Sequence, residues 1–125
     1  MTLRNRLMHV VIGLAALAAF AFAADVTGTW TATFETQVGS QSYTFMFKQD
    51  GSKLTGMAKN AFANAETEIT EGMVNGDDVS FVENLNYQGM PLRIVYKGKV
   101  SGDTIEFTRN VAEIADEKAT AKRSK

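Results

Sequence analysis

A two-residue turn unit recurs every 26 residues along this chain of 125 residues, and it constrains the fold more than any other feature. The unit is Asp50-Gly51, then Gly76-Asp77, then Gly102-Asp103, and the last two lie inside the near-copies GMVNGDDVSF (72–81) and GKVSGDTIEF (98–107). Glycine beside aspartate favours tight hairpin turns because these residues tolerate positive φ. The repeat therefore predicts strands of similar length that follow one another as an antiparallel meander.

Polar and apolar residues alternate from Val26 onward, and Thr, Val, Phe and Tyr are frequent. This period-two pattern is typical of strands with one buried face. The predicted turns are Gly39-Ser40, Asp50-Gly51, Gly76-Asp77, Gln88-Gly89 and Gly102-Asp103. The predicted strands are 26–38, 41–49, 52–59, 67–75, 78–87, 90–100 and 104–112, with a weaker eighth at 117–123.

Counting outward from these turns gives the residues that face each other on neighbouring strands. A one-residue slip would move every core residue into water, so the apolar pairs identify the buried face. Those pairs are Phe34 with Phe45, Ala32 with Phe47, Phe47 with Leu54, Val74 with Val79, Leu85 with Leu92, Phe81 with Tyr96 and Val100 with Ile105.

The same counting places a phenylalanine across from a strand glycine three times: Gly56 with Phe45, Gly72 with Phe81, and Gly98 with Phe107. A strand glycine lets a sheet bend, and the ring restores the lost packing. A curved antiparallel meander of seven or eight strands removes its edges by closing into an up-and-down barrel of lipocalin-like shape. A two-layer β-sandwich is the alternative.

The first 23 residues have the features of a secretory signal peptide. Arg4 and Arg6 precede an apolar stretch over 7–22, and Ala21-Phe22-Ala23 supplies a small-x-small cleavage site. We expect a single domain over 24–125, exported to the periplasm or the extracellular space and not attached to a membrane. The alternative is an uncleaved membrane anchor, for which the apolar run is short.

The predicted mature chain contains neither histidine nor cysteine, because the only histidine, His9, lies in the signal segment. This excludes Ser-His-Asp and Cys-His catalysis, histidine zinc sites and thiol chemistry. Removing the signal leaves 11 basic and 14 acidic residues, and the net charge of −3 argues against nucleic acid as a partner. We expect no metal and no cofactor, since the candidate calcium ligands fall on turns that need aspartate anyway. They are Asp50, Asp77, Asp78 and Asp103.

Glu83 and Arg109 are charged residues with the inward parity of core positions. The predicted register places Glu83 across from Thr70. Buried charges are tolerated when they are paired and hydrogen-bonded, so we expect a Glu83–Arg109 or an Arg109–Trp30 contact. The alternative is that both residues anchor a polar ligand in the mouth of the barrel.

Glycoside hydrolysis needs two carboxyl groups around one cleft. The register turns Glu35 and Glu71 outward and Glu83 inward, so we expect no catalytic residues. Sugar binding on the outer face is also disfavoured, because no row of aromatic residues lies there. A ligand would therefore meet inward-facing residues, and the candidates are Trp30, Tyr43, Glu83, Tyr87, Tyr96 and Arg109, with Phe62 on the 60–66 connection as a further aromatic.

Two family resemblances accompany these patterns. Gly28-Thr29-Trp30 on the first strand, with Arg109 on a late strand, resembles the lipocalin or calycin signature, which implies a Trp–Arg contact at the barrel base. The segments 28–56, 71–83 (EGMVNGDDVSFVE) and 96–109 (YKGKVSGDTIEFTR) are similar to a family of small exported bacterial β-domains. Members occur alone or appended to secreted glycoside hydrolases such as arabinanase-like enzymes. That resemblance implies export and a carbohydrate-related setting, and it carries over no active site.

These observations predict an exported, non-catalytic β-barrel that acts as an accessory or binding module for a glycan or a small apolar ligand. The alternative is a structural or protein-interaction domain whose barrel is filled. The free volume inside the barrel distinguishes the two functions. The oligomeric state is left open by the sequence.

Overall fold

The computed structural model describes residues 25–124, and the predicted signal peptide lies outside the described residues. The described chain is all-β, and it contains no helix long and apolar enough to cross a bilayer. Its strands are β1 (Gly28–Thr36), β2 (Gly39–Asp50), β3 (Lys53–Asn60), β4 (Ala65–Glu68), β5 (Thr70–Asn75), β6 (Asp78–Tyr87), β7 (Met90–Ser101), β8 (Thr104–Val111) and β9 (Ala115–Arg123).

Eight of these strands close into an antiparallel barrel. The order around the sheet is β2-β1-β9-β8-β7-β6-β5-β3, and β2 pairs with β3 to complete the circle. The short β4 is the extra strand, and it pairs with the second half of β3 while β5 pairs with the first half. The predicted strand 67–75 is thus divided at the buried Ile69. The predicted eighth strand is confirmed as β9, and the predicted barrel is confirmed in place of the sandwich.

The first two turns lie elsewhere than predicted. Residues 37 and 38 form the β1–β2 turn, not Gly39-Ser40, because the Thr36 hydroxyl accepts from the Val38 N–H and donates to the Gly39 carbonyl. Phe34 consequently faces Gln41 rather than Phe45. Residues 51 and 52 form the β2–β3 turn.

The β2–β3 shift separates the predicted pair Phe47 and Leu54. Phe47 faces Gly56, and Leu54 faces Gln49. The β1–β2 shift places Ala32 across from Tyr43 instead of Phe47. Every partner moves by an even number of residues, so each side chain keeps its predicted face.

The second half of the barrel follows the predicted register, with one exception. Thr70 faces Val82 instead of Glu83, since the β5–β6 pairing shifts between Thr70 and Met73, where Glu71 adopts a positive φ of 56°. This is a β-bulge, in which an extra residue bends the strand. The confirmed pairs are Val74 with Val79, Leu85 with Leu92, Phe81 with Tyr96 and Val100 with Ile105.

One of the three predicted ring-over-glycine pairs is confirmed. Gly98 faces Phe107, and a Cβ on Gly98 would lie 2.7 Å from that ring. Gly56 faces Phe47 rather than Phe45. Gly72 pairs with Leu54 of β3, and a Cβ there would lie 2.1 Å from the Leu54 carbonyl oxygen. This glycine therefore allows two backbones to approach each other beside the bulge.

The two ends of the barrel differ. The end that we call the base carries the three repeated turns, and Trp30 lies there with the Arg123 guanidinium 4.4 Å above its ring. Arg123 also donates to the Thr27 and Asp25 carbonyls and to the Asp103 carboxylate. The predicted Trp30–Arg109 contact is therefore wrong, because Arg123 of β9 takes that place.

We expect Gly72→Ala to lower the free energy of unfolding by about 3 kcal/mol, since the added methyl group meets a backbone carbonyl that cannot move away. Gly98→Ala should cost about 1 kcal/mol, because its neighbours are the side chains of Ile105 and Phe107, which can shift. Urea unfolding of both variants measures the difference. An equal or larger loss for Gly98→Ala would contradict this account of the bulge.

Candidate functional site

Two charged residues lie inside the aromatic core. Glu83 of β6 is fully buried, and Arg109 of β8 is 2% exposed. Around them the rings of Phe34, Tyr43 and Tyr96 pack edge to face, with centroids 5.7 to 6.5 Å apart. An isolated charge in such a place would cost several kcal/mol, so the partners of these two residues decide whether the core can hold them.

The Glu83 carboxylate accepts hydrogen bonds from two tyrosines. Tyr96 donates to Oε1 at 2.7 Å, and Tyr43 donates to Oε2 at 3.1 Å. Each hydroxyl oxygen also accepts a bond, from Arg109 Nη1 at 2.8 Å for Tyr96 and from Asn60 Nδ2 at 2.9 Å for Tyr43. The hydroxyl protons must therefore point at Glu83, which makes the carboxylate form the best acceptor.

The Arg109 guanidinium has hydrogen-bond partners along its edges and an aromatic ring on one face. Its Nε and Nη2 lie 2.8 Å from Glu117 Oε1, and Nη2 also donates to Gln41 Oε1 at 3.4 Å. Its guanidinium lies 4.1 Å from the centroid of the Phe34 ring. No hydrogen bond or ion pair joins Arg109 to Glu83 directly. The predicted direct contact is therefore wrong, and Tyr96 connects the two charges instead.

The environment moves the pKa values of these groups. Burial raises the pKa of Glu83 above its usual range, although the two tyrosine hydroxyls and Arg109 act against that rise. Burial, with the Glu83 charge nearby, raises the pKa of Tyr43 to about 12 and that of Tyr96 well above its ordinary value. Both hydroxyls therefore keep their protons and remain donors at neutral pH.

Asn60 links this network to the surface. It is 1% exposed at the end of β3, and its Nδ2 bonds Tyr43 and Gln41. Its Oδ1 accepts the N–H groups of Phe62 and Ala63, which fixes the turn between β3 and β4. The position of Phe62 thus depends on a buried side chain.

A cavity of about 180 Å³ opens above the network, at the end of the barrel opposite the base. We call this end the mouth. The floor of the cavity consists of Gln41, Arg109 and Glu117, and its walls are mainly apolar. The principal wall residues are Ala63, Leu85, Tyr87, Leu92, Ile94 and Val111.

The mouth is ringed by exposed apolar side chains, one at each of its four turns. Val38, Phe62, Met90 and Ile114 are 45% to 75% exposed, and we call these four residues the rim. Phe62 stacks on Tyr87 at 6.4 Å between centroids. The turns of the base carry Asp and Gly instead. Exposed apolar side chains gathered at one end indicate a binding surface more strongly than scattered ones do.

The backbone of the mouth is also strained. Asn64, Gln88, Ala112 and Glu113 adopt positive φ values of 49° to 61° in its turns. Such a conformation costs about 1 to 3 kcal/mol for a residue other than glycine, and it recurs at functional sites. The repeated turns of the base place glycine at φ values of 61° to 64°.

The six predicted ligand-binding residues occupy three different places in the barrel. Tyr87 and Arg109 line the cavity, and Tyr43, Glu83 and Tyr96 lie beneath it. Trp30 lies at the base and does not contribute to this cavity. The sequence interpretation missed Gln41, Asn60 and Glu117. Of these, Glu117 alternates in phase with Ala119 and Ala121, so a prediction that included the last strand would have placed Glu117 on the inner face.

The other carboxylates that the sequence raised are exposed. Glu35 accepts from the Ser40 hydroxyl, and Glu71 forms an ion pair with Arg93 at 2.8 Å. The outward position of both, predicted from parity, is confirmed. Asp78 and Asp103 at the base pair with Lys99 and Arg123.

No family model, no curated protein and no solved structure matches this chain at a significant level. The two family resemblances drawn from the sequence therefore stay predictions, and the site is interpreted from its own geometry.

We expect Tyr96→Phe to lower the free energy of unfolding by about 3 kcal/mol, because it removes a bond from each of two buried charges. Tyr87→Phe is the matched control. It deletes the same oxygen at the cavity wall, where the hydroxyl bonds no described residue, and it should change stability by less than about 0.5 kcal/mol. Urea unfolding compares the two, and similar losses would contradict the role given to Tyr96.

Stability should also depend on the protonation of Glu83. Its folded-state pKa is raised, so its stabilising contribution is complete below the unfolded pKa and is lost as pH rises through the folded value. The stability of the unmodified protein relative to Glu83→Gln should therefore fall as pH rises above about 4, near the unfolded pKa of a glutamate. Glu71→Gln should show the opposite sign at lower pH, because the bond with Arg93 lowers the pKa of Glu71 and its stabilising contribution is lost as pH falls through the folded value. Urea unfolding from acid to neutral pH tests both trends, and a pH-independent difference for Glu83→Gln would contradict the first.

Proposed function

We propose that this protein is an exported, non-catalytic β-barrel module that binds a small apolar ligand at its mouth. The proposal rests on one observation: the cavity opens between the exposed apolar side chains of the rim. Below the cavity the barrel is filled by stacked rings, such as Phe81 on Tyr96 at 4.4 Å. Above it, Val38, Phe62 and Ile114 belong both to the exposed rim and to the lining.

The size of the cavity limits the ligand. An engineered cavity of about 150 Å³ lined by apolar side chains binds benzene, so about 180 Å³ suits one aromatic ring or a short branched chain. A larger molecule would have to extend out between the rim residues. This volume favours a compact ligand over a long, extended one.

A hydrolytic role is less well supported by the geometry. Glu83 is fully buried and both of its oxygens accept tyrosine protons, so it does not face the cavity. Glu117 faces the cavity, but its Oε1 is bonded to Arg109. Glycoside hydrolysis would need two carboxyl groups on either side of a sugar.

A protein-interaction role is the second candidate, because the interior is filled and the rim residues are exposed. The ring of Phe62, backed by Tyr87, is also a planar surface on which a sugar could stack. The cavity behind the rim favours a small apolar ligand over both. Export is supported by the sequence alone, through the predicted signal peptide.

We expect p-xylene to raise the melting temperature of the protein, since a ligand that binds only the folded state stabilises it. Ala63→Trp should abolish this shift, because residue 63 lines the cavity and the larger side chain fills it. Ala61→Trp is the matched control on the exposed side of the same turn and should keep the shift. Differential scanning calorimetry with increasing p-xylene measures all three. An unchanged shift in Ala63→Trp, or no shift in the unmodified protein, would contradict the proposed site. Stabilisation by a glycan in place of p-xylene would favour the stacking role.

A further inference from the structure

Building on the proposed function, we infer that the ligand is uncharged and that its apolar body carries one hydroxyl or carboxamide, which bonds Gln41 and Glu117 on the cavity floor. The inference rests on which atoms of the floor are already bonded and which are open.

Among residues 25–124, Arg109 is the only cationic side chain that lines the cavity, and it is not available to a ligand acid. One edge of its guanidinium meets Glu117, Nη1 meets Tyr96, and Nη2 meets Gln41. One face is covered by Phe34. A carboxylate binds arginine best through two parallel bonds, and here the edges that would form them already have partners.

Two polar atoms of the floor remain open. Gln41 Oε1 accepts from both Asn60 and Arg109, which fixes the amide orientation and leaves the Nε2 donor without a partner among residues 25–124. Glu117 Oε1 takes both contacts from Arg109, and Oε2 forms no hydrogen bond within the described part of the chain. The floor therefore offers one donor and one acceptor.

The two side chains that carry these open atoms meet at Arg109. Gln41 and Glu117 both bond Nη2 of Arg109, at 3.4 and 2.8 Å, so their terminal groups flank the same nitrogen. A ligand hydroxyl or primary amide can donate and accept at once, which matches this pair. A purely apolar ligand would leave both atoms buried without partners.

The charges of the floor exclude an acid. Arg109 and Glu117 form an ion pair, so their opposite charges compensate each other. A ligand carboxylate would be desolvated by the apolar walls with no cation to pair with. A ligand ammonium gains little, since the charge of Glu117 is already paired at 2.8 Å.

Calorimetric titration with four matched probes tests the inference: p-xylene, 4-methylphenol, 4-methylbenzoate and 4-methylbenzylamine at neutral pH. We expect 4-methylphenol to bind about tenfold more tightly than p-xylene, and both charged probes to bind at least about tenfold more weakly than 4-methylphenol. Equal or tighter binding of either charged probe, or no advantage for 4-methylphenol, would overturn the inference while leaving the proposed function intact. Failure of both p-xylene and 4-methylphenol to bind would overturn the proposed function itself.

Glu117→Gln tests the charge argument directly. It keeps an oxygen for Arg109 but removes the compensating charge, so 4-methylbenzoate should gain about tenfold in affinity while 4-methylphenol loses affinity. Asp116→Asn, one residue away and facing outward, removes the same charge and should change neither probe. No gain for the benzoate in a folded Glu117→Gln would overturn the inference. Gln41→Met provides a second test that leaves every charge in place. It removes the open donor, and the preference for 4-methylphenol over p-xylene should disappear.

Discussion

The hydroxyl of Tyr96 is the single group on which the polar interior depends. It donates to Glu83 and accepts from Arg109, so one oxygen connects two opposite charges that do not touch. Glu117 and Gln41 complete the shell of Arg109, and Asn60 extends it through Tyr43 to the β3–β4 turn. The bonds within this network fix side-chain positions, because displacing one bonded group leaves a buried polar atom without its partner. The cavity floor is rigid for that reason, and a rigid floor can discriminate between ligands that differ by one polar group.

The two ends of the barrel differ in their turn sequences and in the backbone conformation of their turns. A period of 26 residues carries the chain from the base to the mouth and back, so each repeated Asp/Gly turn lies at the base. The intervening turns all fall at the mouth, where the sequence is not repeated and where apolar tips and strained residues occur. The base combines the Trp30–Arg123 contact with turns whose positive φ values fall on glycine, which adopts them without strain. The mouth combines features that lower stability, which are expected where binding requires them.

The sequence predicted the barrel and the two faces of its strands, because alternation survives any even shift of register. It placed the first turn wrongly because the turn is closed by the Thr36 hydroxyl, and the adjacent Gly39 only follows it. Arg109 was wrongly predicted as the partner of Trp30 in place of Arg123. The correct partner depends on how β1 pairs with β9, and counting between consecutive strands does not give that pairing. The inward parity of Glu83 and Arg109 was predicted, whereas the link through Tyr96 needed side-chain directions in three dimensions. The cavity arises where aromatic packing ends, and no local pattern encodes that point.

The pairing of β1 with β9 has a consequence for how the chain folds. Every other strand pair joins neighbours in sequence or strands separated by one short segment, whereas Trp30 and Thr31 meet Arg123 and Lys122 from the far end of the chain. Contacts between distant residues form late, because they require the largest loss of chain entropy. A chain whose last strand has not yet paired is an open sheet with two unpaired edges. Arrival of β9 removes both edges at once, so protection against edge-to-edge aggregation depends on the final nine-residue strand.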